Sequence, residues 1–189
     1  MSGKITVLLL ATMGLVACGD PSSEELEASL LGSEEQEASV QAGLAELRQL
    51  TARYHDVGVA DDDGFHLGIN GILTNCVQHP VNPATFGAMG YHFGNQDRFD
   101  DVTIDELAPE VLVYQKRNDG TYKLGAVEWV VPKVAWEAEH GVGAPPPEVH
   151  GHPLSVLNPV LNWYVGHAWI WKPNPSGIMS DWNPNVTCP

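Results

Sequence analysis

The sequence predicts an α+β fold: an N-terminal amphipathic helix packed on an antiparallel β-sheet, with long irregular loops and a Pro/Asn-rich C-terminal tail. Three observations predict it. Apolar residues recur at helical spacing early in the chain. Short β-rich runs follow, two of them joined by an Asp-Gly turn. The last stretch, 172–189, carries Pro173, Pro175, Pro184 and Pro189 among several asparagines. One helix followed by strands and hairpins is the pattern of a sheet with its helix on one face.

The helix is expected over Gln41 to about Asp61. Leu44, Leu47, Thr51, Tyr54 and Val57 form one stripe, which Leu50 widens. Spacings of three and four residues place such positions on one helical face. Gly58 and the run Asp61-Asp62-Asp63-Gly64 mark its end. Turns follow at Asn70-Gly71, His79-Pro80 and Asn82-Pro83. Strands are expected over Ala88–Phe93, Glu110–Gln115, Tyr122–Val131 and Leu161–Trp171. Asn118-Asp119-Gly120 joins the second and third of these as a hairpin. The stretch from Glu137 to Pro159, with Pro145-Pro146-Pro147, is expected to be loop.

Lys4 is followed by an apolar run from Ile5 to Val16. A positive start and a short apolar segment make a secretory signal. About 12 residues are too few for the ~20 that span a bilayer as a helix. The ending Leu15-Val16-Ala17-Cys18 resembles the lipobox of bacterial lipoproteins. That resemblance implies a signal peptide over 1–17, lipidation of Cys18, and anchorage to a lipid bilayer. It places the protein extracytoplasmically in a bacterial cell envelope, on the outer membrane in a two-membrane cell. Residues 18–39 then form an acidic tether, and 40–189 a single globular domain. Seven acids and no base lie between Gly19 and Ser39, and Ser23-Glu24-Glu25-Leu26-Glu27-Ala28-Ser29 returns as Ser33-Glu34-Glu35-Gln36-Glu37-Ala38-Ser39. High charge with little apolar content favours a disordered spacer.

The formal net charge is -15. Such a chain lacks the Lys and Arg clusters that nucleic acid requires. It is expected to be a monomer. With Cys18 lipidated, Cys76 and Cys188 remain as a disulfide pair in an oxidising compartment. The bridge would close a loop of over one hundred residues, which chain entropy values at up to about 5 kcal/mol.

Three strands each carry a group that fits poorly in a plain core: His92, Glu128 and His167. A carboxylate inside an apolar run is costly unless paired, protonated or metal-bound. His92 shares its face with Gly90 and Gly94, while Met89, Tyr91 and Phe93 take the other. If the strands are neighbours, two imidazoles and a carboxylate converge on one face. That donor set suits a divalent metal, either zinc or iron or copper. His152, in the His150-x-His152 pair, is a candidate fourth ligand. The bland alternative is a hydrogen-bonded core histidine beside an exposed Glu128.

There is no Gly-x-Ser-x-Gly elbow and no phosphate-binding Gly-Lys loop. The C-terminal tryptophans, Trp169 and Trp171 foremost, are candidates for stacking on a ligand. Three readings follow: an envelope-anchored metal-binding protein, as one outcome a metal-dependent enzyme; a non-catalytic ligand-binding lipoprotein; or a structural envelope protein. Gly87–Phe93, Pro109–Tyr114, Val127-Glu128-Trp129, His167–Pro175 and Trp182–Asn185 resemble a group of uncharacterised secreted bacterial proteins. The likeness spans roughly 52–189 and implies only a secreted domain.

Overall fold

A computed structural model of the 189-residue chain describes residues 23–69, 71–99, 102–156 and 161–189. The expected signal segment and Cys18 lie outside the described residues. Among those described, no helix is long and apolar enough to cross a membrane. The chain divides into two units, Met1–Glu37 and Ala38–Pro189.

Helix α1 runs from Ser23 to Thr51. The acidic repeat expected to be disordered is therefore helical from Ser23 onward. Glu, Ala, Leu and Gln are strong helix formers, and their summed propensity outweighs the weak repulsion of neighbouring acids. The expected stripe does not continue as one helix to Asp61. A 3-10 turn over Ala52–His55 follows, and a short helix α2, Val57–Asp62, restarts after Asp56. The Asp56 carboxylate caps α2 by accepting from the Gly58 amide. Leu44, Leu47, Thr51 and Tyr54 are buried as the stripe requires, but Leu50 is exposed.

The strands are β1 (Phe65–Leu67), β2 (Val77–Gln78), β3 (Ala88–Asn95), β4 (Val111–Lys116) and β5 (Tyr122–Pro132). Short helices α3 (Pro83–Phe86) and α4 (Gln96–Phe99) flank β3. Helix α5 (Lys133–His140) and a small hairpin of β6 (Glu148–Val149) and β7 (His152–Pro153) precede β8 (Trp163–Ala168). The region expected to be all loop thus holds a helix end and a hairpin. An ion pair between Lys133 and Glu137 and a stacked pair of Trp136 and His140 hold α5 at i,i+4 spacing.

The main sheet is antiparallel in the order β1-β3-β4-β5-β8, with β2 also on β3. The expected hairpin joins β4 to β5. Gly120 takes φ +85°, and Asp119 accepts from the Thr121 amide and hydroxyl. One sheet face, with Leu112, Tyr114, Leu124, Val127, Trp129 and Tyr164, packs against Leu44, Leu47 and Tyr54. The opposite face, with Val111, Val113, Ala126, Val130 and Val165, packs against Ile69, Phe99 and Val186.

The tail that covers this second face is irregular, as expected, but tightly tied. Ala88 and Asn183 exchange both backbone hydrogen bonds. A Cβ on Gly87 would lie 2.0 Å from the Asn183 carbonyl oxygen, so only glycine allows that approach. The Asn183 side chain donates to the Pro173 carbonyl and accepts from the Asn185 amide. The Cys76–Cys188 disulfide, with Cα atoms 5.6 Å apart and a sequence separation of 112, pins the end.

Replacing both cysteines by serine is expected to cost about 2–4 kcal/mol of stability. It should also speed hydrogen exchange of the Ala88 and Asn183 amides more than that of the β4–β5 ladder. Equal effects on both regions would show that the bridge does not act through the tail.

Candidate metal centre

β5 and β8 pair so that Glu128 stands directly opposite His167. Glu128 alternates with Ala126 and Val130, which puts its side chain on the tail-covered face. His92 reaches the same face from β3, two strands away, where its register partner on β4 is Val113. Small or aliphatic residues on β4 leave the gap that the two long side chains cross. His92, Glu128 and His167 are all buried, and each offers a ligand atom within 4.8 Å of the others.

The contacts are close to a coordination shell. His92 Nε2 lies 3.3 Å from Glu128 Oε2, and His167 Nε2 lies 3.6 Å from Glu128 Oε1. Donors around a tetrahedral zinc with bonds of about 2.0–2.2 Å are separated by about 3.3 Å. Neither pair is a good hydrogen bond. Glu128 Oε2, His92 Nδ1 and His167 Nε2 are buried without a hydrogen-bond partner. Buried polar atoms in this state are costly, and two of them, Glu128 Oε2 and His167 Nε2, face the cluster as the donors of a cation would.

Burial disfavours charge on every member. It drives the His92 imidazole down to about 3, and a charged His167 nearby adds to the fall. It drives the Glu128 carboxyl up to about 7; His167 opposes that rise and Asp181 adds to it. His167 is the exception. Burial pulls it down, but the Glu128 and Asp181 carboxylates together raise it above the ordinary imidazole range.

Asp181 is the group that sequence reasoning missed. Its Oδ1 lies 3.5 Å from His167 Nδ1. A carboxylate behind the outer nitrogen fixes the ring and leaves Nε2 to face the centre, as around many metal-bound histidines. Nothing in the Asn- and Pro-rich tail marks this aspartate, because the tail has no periodicity to assign it a face.

His152, expected as a fourth ligand, is exposed on β7 and takes no part in the cluster. Its neighbour His150 is buried elsewhere, with Nδ1 3.3 Å from Glu106 and its ring against Trp129 on the helix-covered face. Trp169 and Trp171 are packing residues. Trp169 is buried, stacks beside His167 and donates to the Ser180 carbonyl. Trp171 donates to Thr51 on α1. Trp163 and Trp182 instead wall a cavity of about 360 Å³, together with Leu73, Met89 and Val165, into which His92 and Glu128 open. Met89 was expected on the face opposite His92. Gly90, at φ +119°, interrupts the strand alternation between them, and both line the cavity.

No protein-family model, curated protein or solved structure matches this chain.

The Glu128 charge sets a pH-dependent cost in metal-free protein. Its folded value of about 7 lies above the unfolded 4.5, so the cost is absent below pH 4.5 and complete above about 7. Glu128→Gln removes that cost. In urea unfolding with chelator present, the variant should gain on the wild type by about 3 kcal/mol between pH 4.5 and 8. A difference that stays constant with pH would refute the assignment.

Proposed function

We propose that this chain is an envelope-anchored metal-binding protein in which His92, Glu128 and His167 hold one divalent transition metal, zinc or non-haem iron(II). The convergence of three buried donors at ligand-like separations carries the reading. Three protein ligands leave further positions open, and the cavity lies on that side of His92 and Glu128. An open position beside a cavity is the arrangement of centres that polarise a bound molecule or activate water. The chain's own residues supply the rest. Asp181 orients His167, and the apolar walls limit water. The lipobox-like segment and the disulfide support an extracytoplasmic location, with Cys18 as the lipid attachment point.

Elemental analysis of protein purified without added metal tests the centre. One equivalent of metal is expected, lost in His92→Ala/His167→Ala. Metal requires a charged carboxylate and neutral imidazoles, so uptake releases the proton that the Glu128–His167 pair holds below about pH 7. Apparent zinc affinity should therefore rise at least tenfold per pH unit below pH 7 and flatten only once His167 has also lost its proton. A metal-free protein whose melting temperature is unchanged by zinc would sink the proposal. Loss of acyl labelling in Cys18→Ser would test the anchor separately.

A further inference from the structure

The cavity beside the cluster has a graded lining. Gln78 and Pro80 are exposed at its mouth, and Leu73, Val77, Leu161, Trp163 and Trp182 are half-buried along its walls. Met89, Val165, His92 and Glu128 form the buried floor. No described Lys or Arg lines it. Without metal, the acids at its base, Glu128 and, beyond His167, Asp181, would repel an anion, so a carboxylate or phosphate ligand finds no counter-charge on the lining. Two indoles and a thioether on the lining favour the face and edge of an aromatic ring over an aliphatic chain. An apolar cavity of about 150 Å³ holds benzene; this one, at about 360 Å³, has room for two fused rings. Among the described residues, the polar groups at the floor are the proposed metal ligands, so a ligand has a use for a polar atom at its inner end.

We propose that the cavity binds an uncharged aromatic alcohol of one to two rings, its rings between Trp163 and Trp182 and its hydroxyl directed at the His92–Glu128 floor. The assignment rests on the metal reading for the hydroxyl and on the cavity lining alone for the rings. The lining comes from five separate parts of the chain: residues 73–80 around β2, β3, β5, residues 161–165 at the start of β8, and the tail. The disulfide-bound tail supplies Trp182, which His79 holds by an edge contact at 5.0 Å between ring centroids.

Calorimetric titration of the full chain with 2-naphthol and with its anionic counterpart 2-naphthoate, each with and without one equivalent of zinc, tests it. One equivalent of naphthol is expected to bind, more tightly with zinc present; without zinc, naphthoate is expected to bind at least tenfold more weakly than naphthol. Leu73→Glu, at the half-buried wall, should weaken naphthol at least tenfold while its zinc uptake and melting temperature stay at wild-type values. Naphthol binding with zinc uptake absent would remove the metal centre and keep the aromatic cavity. Zinc uptake with no naphthol binding, or naphthoate binding as tightly as naphthol in the zinc-free protein, would overturn the cavity assignment and leave the metal centre standing.

Discussion

A carboxylate buried between two imidazoles is the constraint around which the second face of this sheet is arranged. Glu128 sits in a strand whose neighbours are apolar, and burial lifts its carboxyl to about 7. An ionised group there is tolerable only if positive charge faces it. His167 supplies one source, directly across the β5–β8 ladder. His92 does not, because its own burial keeps it neutral. The cluster as it stands is therefore short of positive charge, and a divalent cation would supply what the protein lacks.

The two faces of the sheet solve the same burial problem differently. One is covered by α1 and the 3-10 turn after it, whose Leu44, Leu47 and Tyr54 present an apolar stripe on a backbone that largely satisfies itself. The other is covered by irregular chain, which must satisfy its own backbone groups residue by residue. Asn183 does much of this, with its backbone bonded to Ala88 and its side chain bonded to the tail itself. A cover of this kind can carry polar side chains inward, as a packed helix rarely does. Asp181 reaches His167 by that route.

The features with a local cause were readable from the sequence. The β4–β5 hairpin followed from Asp119-Gly120, and the helical stripe from the spacing of Leu44, Leu47 and Tyr54. Glu128 stood out because a carboxylate interrupts an apolar strand, and its convergence with His92 and His167 required only that three strands share a sheet. Features set by distant contacts were not readable. Asp181 lies in a tail with no repeat. Trp163 and Trp182 have the same composition as Trp169 and Trp171, and only the fold decides which indoles line a cavity and which fill a core. The acidic segment is the opposite case, where the helix propensity of Glu, Ala and Leu outweighs the repulsion its charge predicts.

The sequence distances within the centre bear on how it is assembled. His92, Glu128, His167 and Asp181 come from segments far apart in the chain, and the bridge that fastens the cover joins residues 112 positions apart. Contacts of such high order form slowly, because each must first meet the entropy of closing a long loop. The β4–β5 hairpin and the helix are local and can form early; the centre needs β8 in place before the tail can present Asp181. The domain can thus possess a sheet and a helix-side core before it possesses a finished centre, and oxidation of two thiols stands between those two states.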